Sequence, residues 1–268
     1  MQGASVWLGS LRAPVWYLTL LFCGLSAVLF VWLVFSQFIF EDAYGMYEMI
    51  RPQGRPLVLA MLLSLGGAFL FASIYLSDFR GAIETEPTGP FDIFSLICAR
   101  MGMLMTAAIV IVMFYEVVSR YAFSAPTLWA NEMSLWIAAF VFLFAGQYAM
   151  QQRSHIRIYV IYDMMPLWAR KTADVISVSL IVFFAFAVVW GNYADAARRF
   201  ARMETFGTAW DPPLPGIVKP AVLIIIVLVA IQAISNLIAD WHKAPEHHSP
   251  ADEIDQTEIE SIRKTLRD

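Results

Sequence analysis

Two cysteines and four histidines in 268 residues leave little material for metal or redox chemistry. Cys23 and Cys98 lie in or beside apolar runs and form no CxxC pair, which argues against a disulfide framework and a thiolate zinc site. His242, His247 and His248 all follow the last apolar run, so the paired axial ligands of a transmembrane b-haem are missing. Charge is scarce as well, at 15%, and a net charge of -4 with scattered Lys and Arg offers no basic face for nucleic acid. No Walker loop, zincin pair, GxSxG elbow or spaced carboxylate set occurs, which disfavours an enzyme, and no cofactor is expected.

What the chain has in quantity is apolar surface: 59% of residues are hydrophobic, against about 45–50% in soluble proteins, and the mean hydropathy is +0.63. A helix needs about 20 mostly apolar residues to cross about 30 Å of hydrocarbon. Six runs meet that length, at residues 13–40, 57–77, 93–118, 133–152, 175–194 and 220–239. The expected fold is therefore an all-α polytopic integral membrane protein with about six transmembrane helices. A short interfacial segment is expected near 156–162, where apolar residues alternate with Arg157, Tyr159 and Tyr162. The first run far exceeds a signal-peptide core and reads as a retained helix.

Loops rich in Pro and Gly at 41–56 and 80–90 punctuate the first half, and the second divides the chain. Residues 1–90 form an N-terminal two-helix extension, 91–243 a four-helix membrane domain, and 244–268 an acidic tail, flexible or a docking peptide. Loop cations divide almost evenly between the two sides, so charge does not set the orientation.

Polar residues inside a span are costly and are kept for a reason. Glu116 and Arg120 stand four apart and read as an exposed anchoring pair. Pro126 and Thr127 are helix-start signals, which puts Trp129, Glu132 and Trp136 on one stripe early in the fourth helix and marks a helix or partner contact. Gly146, Gln147 and Gln151 make the other half of that helix small and amide-bearing, suited to close packing. His155 beside two arginines reads as a loop or capping residue. Arg198, Arg199 and Arg202 extend the fifth helix toward a Pro-rich turn at 205–216, and contact lipid headgroups or an acidic protein surface.

Several short motifs occur in order: Ser119-Arg-Tyr-Ala-Phe123 closing one helix, Trp129-Ala-Asn-Glu132 opening the next, and Phe142-Leu-Phe-Ala-Gly146-Gln-Tyr-Ala149 leading to Arg153-Ser-His155-Ile-Arg157. With four helices and a Pro-rich loop before the last, residues 92–241 resemble the small membrane subunit, DctQ type, of tripartite ATP-independent periplasmic (TRAP) transporters. The chain departs from that pattern after His-Ile, where Tyr159 stands in place of an acid and Asp163 is the nearest carboxylate.

The resemblance implies a multi-pass protein of the bacterial inner membrane with both termini in the cytoplasm. It implies a scaffold subunit that binds a large elevator-type permease subunit in sodium-coupled uptake of organic acids. A periplasmic substrate-binding protein would dock partly on its loops, and membrane phospholipids would surround it. On that reading Trp129, Glu132, Trp136, Gly146 and His155 face the large subunit, while Arg120, Arg198, Arg199 and Arg202 receive the binding protein. The rival readings are a membrane anchor for a redox enzyme and a self-sufficient small carrier.

Overall fold

The computed structural model describes residues 5–40, 42–81, 84–153 and 165–242. Among these there is no strand, and six helices are long and apolar enough to cross a membrane. They are α1 (Arg12–Ile39), α3 (Pro56–Ser77), α4 (Pro90–Ala122), α5 (Ala130–Gln151), α6 (Leu167–Ala201) and α7 (Leu214–Asp240); a single turn, α2 (Met46–Met49), lies between the first two. In hydrocarbon every backbone polar group needs a partner within the chain, and a continuous helix supplies it. Proline opens α3, α4 and α7 within the first two positions, where its missing N–H costs nothing.

Helices α4, α6 and α7 run past their charge-free runs at both ends. Charged residues at those ends stay inside the helices because each finds a partner: Asp92 near the start of α4, Glu116 near its end, and Asp195 near the end of α6. The expected interfacial segment at 156–162, His155 and the 244–268 tail lie outside the described residues.

The spans stand in a row: α1 packs on α3, α3 on α4, α4 on α5, α5 on α7, and α7 on α6. Only at α5 does the order depart from sequence, with the last helix set between α5 and α6. Within the first hairpin, the ring of Phe22 lies flat against Gly67 and stacks on Phe71 with centroids 5.3 Å apart. A β-carbon at position 67 would sit 2.6 Å from that ring, so glycine there sets how closely α1 and α3 approach.

The end of the array that carries the N-terminus is locked by buried acids. Asp78, fully buried at the end of α3, accepts the backbone N–H of Trp7 and of Leu8, both at 2.9 Å, and the Ser5 hydroxyl at 2.8 Å. Arg12 stands 3.5 Å from its other oxygen and lies over Phe79, 4.3 Å from the ring centre. The 78–89 connection is equally fixed. Glu84 accepts Arg100 of α4 (2.6 Å), the Gly81 N–H (2.7 Å) and the Tyr148 hydroxyl of α5 (2.9 Å). Arg100 also donates to the carbonyls of Leu76 and Phe79, so one guanidinium finishes α3 while pairing with its loop. The loop at 80–90 is thus bonded to the end of α3, to α4 and to α5.

Between α4, α5 and α7 lies a chain of buried amides. Gln232 donates to Asp92 (2.6 Å) and Asn236 (2.9 Å) and accepts the Ser95 hydroxyl (3.0 Å). Gln147 donates to Ser95 (2.9 Å), and Asn236 donates to the Met150 carbonyl (2.6 Å). Thr88 closes the chain on Asp92 through its hydroxyl and N–H. In membranes such bonds contribute on average about 0.6 kcal/mol each, with a maximum near 1.7, and their larger effect is to fix register.

Removing one partner of a buried ion pair leaves the other charge uncompensated, at about 3–5 kcal/mol, whereas an exposed pair contributes about 0–1. Glu84 is buried and the Arg100 side chain is only 11% exposed, while Arg80 and Glu86 are both exposed. Arg100→Ala is therefore expected to lower the melting temperature in detergent sharply and Arg80→Ala hardly at all; equal shifts would mean that the Arg100–Glu84 pair carries no stability.

Burial pushes the carboxyls of Asp78 and Glu84 up, but their donors outweigh it. For Asp78 these are the Leu8 and Trp7 N–H groups, Ser5 and Arg12; for Glu84 they are Arg100, the Gly81 N–H and Tyr148. Both folded carboxyls therefore titrate below their ordinary values of 3.8 and 4.5. The unfolded chain then binds more protons in that window, so this stability is complete above the ordinary values and is lost as pH falls through the depressed ones. Melting curves collected from neutral pH into that acid range should decline, and Glu84→Gln should decline less steeply than the parent.

Candidate docking site

At the far end of the array, three connections meet: 42–55, 123–129 and 202–213. Glu116 organises the middle one. It is 5% exposed and takes the Thr127 N–H at 2.9 Å, together with the Thr127 hydroxyl and the Arg120 guanidinium. The pair expected to be an exposed anchor is thus a buried carboxylate that straps a turn, with only Arg120 facing out. With Thr127 held by Glu116 and Ser124 in the left-handed region (φ 54°), α5 starts later than the Pro126-Thr127 signal indicates, at Ala130, with Trp129 as its cap.

The predicted stripe on α5 is occupied within the chain. Trp129 stacks on Tyr115 of α4 with centroids 5.7 Å apart. Glu132 accepts the Thr208 hydroxyl at 2.6 Å, and Trp136 is half-buried with its indole N–H unpartnered. Gln147 and Gln151 are buried and bonded to Ser95 and Thr85. Gly146 differs: it faces outward, and a β-carbon there would meet nothing within 4 Å. Leu135, Phe142 and Gly146 fall seven and four residues apart, giving α5 an exposed apolar stripe on its outer side.

The three arginines at the end of α6 are not equivalent. Arg199 bonds Asp195 at 2.8 Å and pairs with Glu204, and Lys219 of α7 reaches the same Asp195 oxygen at 2.6 Å. Arg198 reaches Asp195 only at 3.7 Å and is 69% exposed; Arg202 is exposed. Arg199 therefore holds the turn, and Arg198 and Arg202 are the cations presented outward. Sequence spacing did not separate them, because only the fold brings Lys219 to Asp195 and turns Glu204 back onto Arg199.

That turn closes on Gly216. Its N–H donates to the Glu204 carbonyl at 3.1 Å, and a β-carbon would stand 2.9 Å from the Glu204 nitrogen and 3.1 Å from the Met203 carbonyl carbon. Both are backbone atoms, which cannot swing aside. Gly216→Ala should destabilise the protein by about 1–3 kcal/mol, as overpacking does, while Gly146→Ala leaves the melting temperature unchanged; the comparison is read by thermal unfolding in one detergent.

At the other end, Arg153 forms a two-pronged pair with Asp240, at 2.5 and 2.9 Å, joining the ends of α5 and α7. The groove between α6 and α7 is lined by Val175, Val178, Val182, Phe183, Phe186 and Leu237, with Ser179 as its polar residue. Asp92, Glu84, Asp78 and Gln232, none of them singled out in the sequence, each make three side-chain hydrogen bonds among the described residues. Their signal was spacing: Asp92 and Ser95, Gln147 and Gln151, and Gln232 and Asn236 recur at three or four residues within apolar runs.

A family model described as tripartite ATP-independent periplasmic transporters, DctQ component, matches residues 109–243, from within α4 to just past α7. Comparisons with curated proteins and with solved structures give no match.

Proposed function

The chain belongs to the DctQ component family of tripartite ATP-independent periplasmic transporters, and from that premise we propose that it is the static scaffold of a sodium-coupled uptake system for organic acids. It is a small permease subunit, a multi-pass protein of the inner membrane, in a family that works with a large permease and a substrate-binding protein. The proposal assigns residues 91–243 to the conserved task of the family and 1–90 to an added helix pair, with both termini in the cytoplasm. The large subunit carries the solute and sodium sites. The exposed stripe of Leu135, Phe142 and Gly146 on α5 receives it, beside Trp129, Glu132 and Trp136. The far end faces the periplasm, where Arg120, Arg198 and Arg202 meet acidic groups of the binding protein.

One observation supports this reading above the others. Asp92, Ser95, Gln147, Gln232 and Asn236 spend most of their polar atoms on bonds between helices, the Gln147 Oε1 being the buried exception, and the α6–α7 groove is apolar. A carboxylate solute needs charged or donor groups to replace its water, and a carrier needs elements that shift. A rigid partner fits these features better than a self-sufficient carrier does.

Reconstitution tests it. Vesicles holding this chain alone should take up no organic acid, and those holding it with the large subunit, the binding protein and a sodium gradient should. Flux from the chain alone would overturn the reading. Gly146→Leu, at a site open enough for folding to survive, should reduce recovery of the large subunit on affinity purification. The double variant Arg198→Glu/Arg202→Glu should raise the binding-protein concentration for half-maximal uptake by about tenfold, because charges at the rim of an interface act mainly on association. An unchanged half-saturation would remove these arginines from docking.

A further inference from the structure

The 202–213 connection is fastened from two sides. On one, Thr208 donates to Glu132 of α5. On the other, it is held by residues outside the family match. Trp210, 4% exposed, sends its indole N–H to the carbonyl of Met46 at 2.8 Å, and Asp211 stands 3.4 Å from the guanidinium of Arg51. Arg51 is itself held over the ring of Tyr47, 3.9 Å from its centre. Between these anchors the connection folds on itself: the Gly207 N–H donates to Asp211 at 2.8 Å and the Phe206 N–H to the Pro212 carbonyl at 3.0 Å. Its backbone is left-handed at Gly207 (φ 80°) and at Asp211 (φ 60°), a region that Asp enters more readily than most residues with a side chain.

We infer that the N-terminal helix pair is a brace that positions the 202–213 connection, through Arg51 and the carbonyl of Met46, in the shape that the binding protein meets. The brace has a foundation in the fold. Helix α3 is tied to α4 by Arg100 and Glu84, so the 42–55 connection is carried at a fixed place relative to the four-helix group. Trp210 and Asp211 then close the path from α4 through α3 back to the turn after α6. Arg51 and Trp210 are positioning residues here; of the outward cations, Arg198 lies just before the braced segment and Arg202 opens it. The consequence for docking rests on the function proposed above, whereas the brace itself does not.

The test uses the full chain, in nanodiscs for exchange and in the complete transporter for uptake. Arg51→Ala removes the ion pair, Trp210→Phe keeps an aromatic side chain but removes the N–H donor with part of the indole, and Arg51→Lys retains a cation for Asp211. Hydrogen exchange, followed by mass spectrometry on peptides covering 205–211, should speed up by about tenfold in Arg51→Ala and in Trp210→Phe, the factor expected when a part-buried hydrogen bond is lost, and should return toward the parent rate in Arg51→Lys. In transport, the half-saturating concentration of binding protein should rise in the same two variants, with the maximal rate unchanged. Exchange that stays at the parent rate in both variants overturns the brace. Faster exchange with an unchanged half-saturation supports the brace and instead removes this connection from the docking surface.

Discussion

A polar side chain between membrane helices has no water to fall back on, and the arrangement of this protein follows from that constraint. Asp92, Ser95, Gln147, Gln232 and Asn236 come from three helices, and each supplies what another lacks. Sliding α7 along α4 by one turn would strand the Gln232 amide and Asp92 together. The array therefore has one register, and apolar packing, which is tolerant of sliding, did not have to choose it. Glu84 and Arg100 apply the same rule at the membrane surface, where a loop acid and a helix cation complete one another and finish the end of α3.

The spans were legible because hydrocarbon thickness imposes a length and charge marks its limits. All six emerged from the amino-acid order, and their ends were underestimated where an acid such as Asp92 or Glu116 is neutralised within the helix. The DctQ family was legible as well, from short motifs in sequence order. What escaped was the pairing. An isolated Gln in an apolar run carries no charge to catch the eye, and its meaning depends on which neighbour it meets. Glu116 looked like half of an exposed pair because Arg120 is four residues away, while its tighter partner, Thr127, is held by a turn that sequence spacing does not specify.

The candidate docking residues divide along the same line. Their location at the far end followed from span counting, but their roles did not. Arg199 is bound into the turn while Arg198 and Arg202 stand clear, and Trp129 and Glu132 are taken up by Tyr115 and Thr208 rather than left bare. Gly146 keeps its open side on α5, and there smallness rather than charge is the recognisable feature.

The placement of α7 between α5 and α6 bears on how the chain is made. Synthesis delivers this helix after both α5 and α6, yet its Gln232 and Asn236 are the donors that Asp92 and the end of α5 use. Until α7 is in place, α5 and α6 have no helix between them, and Ser95 holds Gln147 without Gln232 beyond it. The arrival of α7 is thus the step that joins α5 to α6. A nascent polypeptide cut short before residue 214 would present unfinished polar seams to the membrane proteases that clear incomplete products.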